Sequence, residues 1–319
     1  MGVYSSIKLS EINEILSYYD MGSATTFSAT MTGISNSNFK VTLSSGTNVL
    51  LKISNDKTIE QLTNEQQVLL ALEKHDFKYS LIPFKTILGK PIYKHNDYYG
   101  VVFPFIDGMP PLINESVCFQ VGAAQAHLHS LDIVKEDLEF IRPHDLVGFG
   151  SKNIIEYVNS EGAAVDYIQC FNELFEDKLE NIPYDIFPSG IIHGDLYFDN
   201  SLFKDNKLVT LIDFEQAGRG RFILDLGIAI SGTCLNKTND NIDTKLMQQF
   251  IEGYSSVRVL KTIEKEYLNK AILVGFFSIS LWRIKRFLDG NLDDSKKYNY
   301  RELLTRARNF KATTDLDLL

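Results

Sequence analysis

The spacing of apolar residues changes character near residue 105, and that change limits the possible folds more than any other feature of the chain. Before it, short apolar runs alternate with turn signals. Residues 39–43 and 49–53, separated by Ser44-Ser45-Gly46-Thr47-Asn48, read as a hairpin. Residues 60–74 then carry Leu62, Val68, Leu69 and Leu72 at helical spacing, and 9–19 reads as a short amphipathic helix ahead of the strands. Further strands are expected at 84–88, 92–94 and 98–105, punctuated by Gly89-Lys90-Pro91 and His95-Asn96-Asp97. After 105 the pattern turns helical, at 117–131, 151–180, 242–254 and 264–288. Two short apolar runs with polar ends, 190–193 and 208–214, interrupt those helices. We therefore expect a strand-rich part over residues 1–104 and a mainly helical part over 105–319.

The 319 residues give ample length for two cores. With 32 Lys and Arg against 41 Asp and Glu, the net charge is −9, which argues against a broad phosphate-binding surface for nucleic acid or anionic membrane. Any phosphate must be met by local cations or a metal. Cys118, Cys170 and Cys234 stand far apart, with no zinc or disulfide spacing, and read as buried thiols. The start Met1-Gly2-Val3-Tyr4 lacks the apolar core of a signal peptide, and residues 271–282 are too few to span a bilayer, so a cytoplasmic protein is expected.

The island of short strands carries the chemistry. It reads His193-Gly194-Asp195-Leu196-Tyr197-Phe198-Asp199-Asn200, then Leu211-Ile212-Asp213-Phe214-Glu215. Phosphoryl transfer needs a carboxylate to take the acceptor proton and hard oxygen ligands to hold Mg²⁺ on the nucleotide phosphates. Asp195 fits the first role, and Asn200 with Asp213 the second. Lys52, in the apolar run 49–53, is placed to meet phosphate, with Glu65 on the next helix as its partner. Leu202 and Ile212 are candidates to cover the adenine. His127 and His129 are two residues apart on a helix, face different directions and read as structural.

These motifs resemble the kinase-fold small-molecule phosphotransferases, the group that includes aminoglycoside, choline and homoserine kinases. Several segments narrow the resemblance to the homoserine kinases of that fold: Tyr19-Asp20-Met21-Gly22, Gly33-Ile34-Ser35-Asn36-Ser37-Asn38-Phe39, the Asp199-Asn200 pair and Glu252-Gly253-Tyr254-Ser255-Ser256-Val257-Arg258. The resemblance implies an α+β, protein-kinase-like two-lobed fold, with a small antiparallel-sheet lobe and a mainly helical lobe. It also implies ATP and Mg²⁺ as cofactors and transfer to the hydroxyl of L-homoserine, feeding threonine synthesis. Asp225 corresponds to a residue bracing the catalytic loop, and His193 holds that loop through its imidazole. The loop at 33–38 would cover phosphate through backbone N–H groups and Ser35, Asn36, Ser37 and Asn38. The Pro104 carbonyl and the Ile106 N–H would bind adenine.

A zwitterionic acceptor needs a cation for its carboxylate and an acid for its ammonium. Arg219, Arg221, Arg283 and Arg286 are candidates for the first, and Asp199 or Glu215 for the second. Asp213-Phe214-Glu215-Gln216-Ala217 is nearer the choline kinases, and Ser231-Gly232-Thr233-Cys234 departs from the homoserine kinase pattern. Choline, an aminoglycoside or another amino alcohol therefore remain alternative acceptors, and a nucleotide-binding module without turnover is a further alternative. The partner expected is a small-molecule substrate, with neither nucleic acid nor membrane.

Overall fold

In the computed structural model the described residues are 7–30, 36–54, 57–133, 141, 150–175, 182, 184–290 and 294–314. They fall into two compact units, Met1–Gly108 and Met109–Leu319. The first opens with α1 (Leu9–Ser17) and β1 (Ala24–Ala29), then β2 (Asn36–Leu43), β3 (Asn48–Ser54), α2 (Ile59–Lys74), β4 (Ile92–His95) and β5 (Tyr98–Pro104). The strands form one antiparallel sheet in the order β1-β2-β3-β5-β4.

Side chains alternate across a strand, so Phe39, Val41 and Leu43 share a face with Val49, Leu51 and Ile53. These cluster with Ile12, Ile15, Leu16 and Tyr19 of α1 and its end as one buried core. Lys52 and its cross-strand neighbour Asn38 take the opposite face.

Two expectations for this unit are corrected. Asn36, Ser37 and Asn38 are strand residues rather than a loop, because β3 runs on to Ser54 and supplies their ladder partners. Ser35 and the rest of 31–35 lie outside the described residues. Residues 84–88 form no strand. β4 already occupies that side of β5, and the Phe84 N–H reaches only the Val102 carbonyl, at 2.8 Å. β1, in contrast, was not foreseen, since Ala24-Thr25-Thr26-Phe27-Ser28-Ala29 is an edge strand with little burial and no apolar alternation.

The second unit comprises α3 (Glu115–His129), α4 (Ser151–Val158), α5 (Val165–Leu174), β6 (Ser189–Ile192), β7 (Ser201–Lys204), β8 (Lys207–Leu211) and β9 (Gly218–Arg221). It continues with α6 (Phe222–Thr233), α7 (Thr244–Ser255), α8 (Thr262–Leu288) and α9 (Arg301–Thr314). Two small antiparallel ladders, β6-β9 and β7-β8, sit among the helices. The single helix expected at 151–180 is two, divided where Gly162 takes φ +84°; residues 176–181 lie outside the described set.

Close helix contact depends on missing side chains. A Cβ on Gly227 of α6 would strike the Ala271 backbone of α8, and one on Gly122 of α3 the Phe250 backbone of α7. All three cysteines are free and buried. Among the described residues, no helix is long and apolar enough to cross a membrane.

Candidate active site

In the first unit, Lys52 Nζ lies 3.1 Å from Glu65 Oε1, and Lys57 Nζ approaches the other oxygen at 3.7 Å. Glu65 projects from α2, whose start is fixed by a capping box between Thr58 and Gln61. Both Lys52 and Glu65 are buried, so neither charge would be tolerated without the other. Glu60, on the same helix, is exposed. The Lys52 carbonyl accepts the Tyr93 hydroxyl at 3.3 Å across Gly100, where a Cβ would collide with both groups. Pro104 ends β5 opposite Val49, and Ile106 follows in a half-buried segment.

In the second unit the strand-loop island builds a tightly wired loop. β6 ends at Ile192, and Gly194 turns the chain at φ +78°. The Asp195 N–H donates to His193 Nδ1 at 3.3 Å, so Nε2 carries the proton and donates to the Ile212 carbonyl at 3.0 Å. Burial lowers the His193 pKa and favours this neutral ring. The Ile212 N–H in turn donates to the Asn200 carbonyl at 2.9 Å. Ile212 is thus pinned on both backbone groups, which sets where Asp213 begins. Asp213 itself sits in the left-handed region, φ 64° and ψ 56°, a conformation that Asp and Asn tolerate better than most residues.

Asn200 closes the loop through Nδ2, which donates to the Asp195 carbonyl at 2.7 Å and to Oδ2 at 3.3 Å. That bond turns its Oδ1 away from Asp195. Burial, and then the charges of Asp213, Asp199 and Glu215, raise the Asp195 carboxyl well above its usual range. The charges of three other carboxylates are thus felt at Asp195. Leu202 on β7 and Ile212 after β8 are half-buried beside it in the chain.

Asp225, on α6, anchors the loop from beneath. Its carboxylate accepts the Gly194 N–H at 2.7 Å and the His193 N–H at 3.2 Å, and also Gln125 Nε2 and His129 Nε2, each at 2.9 Å. Burial alone would raise its pKa, but the donors led by His129 outweigh it and hold the carboxyl well below the usual range. It is the fourth residue of its helix, not the cap, which is Arg221.

The network continues outward. His129 Nδ1 takes the Tyr254 hydroxyl at 2.8 Å, Arg258 Nη1 donates to that hydroxyl oxygen at 3.0 Å, and Arg258 Nη2 meets Glu264 at 3.0 Å. Gln125, His129 and Glu264 were not foreseen as members. Tyr254 and Arg258 stand in the segment already noted at 252–258.

The four candidate arginines fare differently. Arg219 donates to the Ile141 carbonyl at 2.7 Å, and Arg221 pairs with Asp185 at 3.0 Å, so both serve loops beside β9. Arg283 meets Glu302 at 2.7 Å and the Asn299 carbonyl at 2.9 Å. The Arg286 guanidinium lies over the Trp282 ring, 5.2 Å from its centroid. Asp199 is exposed in the 3-10 turn Phe198–Asn200, and Glu215 is half-buried in the turn Phe214–Gln216. Among the described residues, no three His, Cys, Asp or Glu side chains gather as a metal centre.

A sheet bearing a lysine–glutamate pair, followed by a helical unit with an Asp-x4-Asn loop and a second Asp on a neighbouring turn, has the build of a kinase-like phosphotransferase. The chain belongs to the phosphotransferase enzyme family (APH), which matches residues 29–262. As a member it is a small-molecule phosphotransferase whose acceptor is a hydroxyl group. It is 29% identical over 307 residues to homoserine kinase of Neisseria meningitidis serogroup B, covering 91% of this chain and 92% of that one. It is also 29% identical to homoserine kinase of Agrobacterium fabrum, over 84% of this chain and 82% of the relative.

The same fold occurs in a microcompartment-associated aminopropanol kinase, with TM-score 0.69 and 17% identity over 98% of this chain and 100% of that one. It occurs too in an amicoumacin kinase solved with AMP-PNP and Ca²⁺, with TM-score 0.70 and 14% identity over 97% and 94%.

Proposed function

We propose that this chain transfers the γ-phosphoryl group of ATP to the side-chain hydroxyl of L-homoserine. The observation that carries the choice of acceptor is the match to the Neisseria meningitidis homoserine kinase over nine-tenths of both chains. In the reaction the acceptor oxygen bonds to the γ-phosphorus, the bond from that phosphorus to the β–γ bridging oxygen breaks, and ADP leaves. The acceptor proton passes to the Asp195 carboxylate, which the Asn200 amide holds in place at the end of the loop. Lys52, oriented by Glu65, is assigned to the nucleotide phosphates. The Pro104 carbonyl and the Ile106 N–H, with Leu202 and Ile212, are assigned to the adenine.

The donor set fits a Mg²⁺ ion. Asn200 Oδ1 and the Asp213 carboxylate are hard oxygen donors, and a cation would relieve the carboxylate crowding that Asp195 experiences. When bound, such an ion neutralises charge on the transferring phosphoryl group. The protein's own part is to fix both donors through the Ile212 backbone and to hold the Asp195 loop on Asp225.

A second reading is an amino alcohol without a carboxylate, favoured by Glu215 after Asp213-Phe214 and by the likeness in fold to the aminopropanol kinase. A coupled ADP-release assay across L-homoserine, choline, 1-amino-2-propanol, hydroxylysine and aminoglycosides separates the two. Homoserine should give the highest kcat/KM. Asp195→Asn should lower kcat by about 10²- to 10⁴-fold while ATP binding persists; near-normal turnover would remove Asp195 from the reaction.

A further inference from the structure

Glu65 is flanked by two lysines rather than one. Lys52 Nζ meets Oε1 at 3.1 Å, a hydrogen-bonded ion pair, whereas Lys57 Nζ stands 3.7 Å from Oε2. Oε2 accepts no hydrogen bond among the described residues, so charge alone ties it to Lys57. All three groups are withdrawn from water, with the side chains of Lys52, Lys57 and Glu65 10%, 12% and 3% exposed. Attraction between such charges is screened far less than on an open surface.

The local fold explains how two lysines reach one carboxylate. Lys52 stands in β3, on the sheet face turned away from the core, and Lys57 directly precedes Thr58, the N-cap of α2. Side chains on a helix lean toward its N-terminus, so Glu65, in the second turn, points back toward Lys57. The capping box between Thr58 and Gln61 fixes the first turn and with it the separation of Lys57 from Glu65.

A single counter-charge would set nucleotide binding against the pair. Lys52 is assigned to the phosphates, and as its ammonium turns toward them its hold on Glu65 weakens. A buried carboxylate that loses its cation is penalised heavily, so the fold would resist the movement that binding requires. Lys57 removes this conflict. It already stands at ion-pair distance from the other oxygen, and closing the gap by under about 1 Å completes a hydrogen bond.

We propose that Lys57 is a positioning residue of the nucleotide site, keeping Glu65 compensated while Lys52 is shared with the phosphates. The inference rests on the reading of Lys52 and Glu65 as the pair that serves those phosphates. Lys57 had no signal in the sequence, since a lysine beside a helix cap is ordinary. It becomes significant only because Glu65 meets Lys52 in the fold.

The test is a double-mutant cycle read as the Kd of AMP-PNP with Mg²⁺ by calorimetry, which needs no acceptor. Lys57→Met should weaken binding by about 5- to 50-fold, within the range of coupling between charges in contact. Lys57→Gln, which keeps a polar end without the charge, should do the same, and Lys57→Arg should recover most of the affinity. Glu65→Gln removes the charge that Lys57 serves, so adding Lys57→Met to it should change the Kd by less than about twofold. Thermal midpoints recorded alongside separate function from folding: uncharged variants that are less stable but bind the nucleotide normally overturn the inference. A full further loss on adding Lys57→Met to Glu65→Gln overturns it too, since Lys57 would then meet the phosphates directly. Lys52→Met tests the reading beneath. Unchanged affinity in that variant overturns the assignment of Lys52 to the nucleotide, whereas a loss there with none in Lys57→Met overturns the role of Lys57 alone.

Discussion

At the scale of single residues, the site depends on places where a side chain is missing or a backbone angle is unusual. Gly232 is an example, since its hydrogen lets the Tyr197 ring lie against α6 next to the Asp195 loop. Gly232→Ala forces that ring to move, and overpacking of this kind costs about 1–3 kcal/mol. Displacement by about 1 Å so near the reacting groups can cost about 10²-fold in rate. The expected outcome is a kcat lowered by about tenfold or more with the KM for ATP unchanged, measured by steady-state kinetics; an unchanged kcat would mean the ring does not shape the site. Asp213 is held at φ 64° by the two hydrogen bonds of Ile212, a position where Asp was chosen for geometry as well as charge.

At the scale of elements, the polar chain from α3 to α8 is directional. Arg258 donates to the Tyr254 oxygen, Tyr254 to His129, and His129 to Asp225, which then receives the N–H groups of His193 and Gly194. Every member depends on the next for its tautomer or charge. Tyr254→Phe removes the middle hydroxyl and leaves buried His129 Nδ1 without its donor, so unfolding in urea should show a loss of about 1–3 kcal/mol. A loss below about 0.5 kcal/mol would mean that water or rearrangement replaces the bond.

None of this was legible from spacing. Asp195, Asn200 and Asp213 could be read because phosphoryl transfer demands particular groups in one stretch, and α2 and the β2-β3 hairpin because apolar residues mark one face. α6 could not be read, since every residue but Gly232 is buried and no stripe distinguishes a face. β9 is Gly218-Arg219-Gly220-Arg221, without an apolar residue, and exists only because β6 lies beside it. α9 did carry a signal, with Leu303, Leu304, Ala307 and Phe310 buried along one side, although its polar composition obscured it.

At the scale of the whole molecule, the buried titratable groups set how stability responds to acid. His129 and His193 have pKa values lowered chiefly by burial, so in the folded state they stay neutral while the unfolded chain takes up protons below about pH 6.5. Asp225, held below its ordinary value, adds a second loss once the unfolded carboxyl begins to protonate near pH 4. Both effects have the same sign, since the unfolded chain binds more protons. The raised Asp195 carboxyl acts in the opposite sense, so it is in Asp195→Asn protein that the urea midpoint should fall steadily between pH 7.5 and pH 5, and fall again below about pH 4. A midpoint that stays level or rises over the first interval would show that the histidines are not neutral in the fold.

The grip of Asp225 on the His193 and Gly194 amides has a further consequence, for exchange with solvent. Loop amides ordinarily trade their protons for deuterium through small local openings. These two can do so only when the loop leaves a carboxylate buried in the α6 core, so their protection should match that of α6 itself. By deuterium labelling, the loop carrying Asp195, the proposed proton acceptor, should be among the slowest-exchanging parts of its unit. Asp225→Ala should bring those two amides down to the rate of an ordinary surface turn.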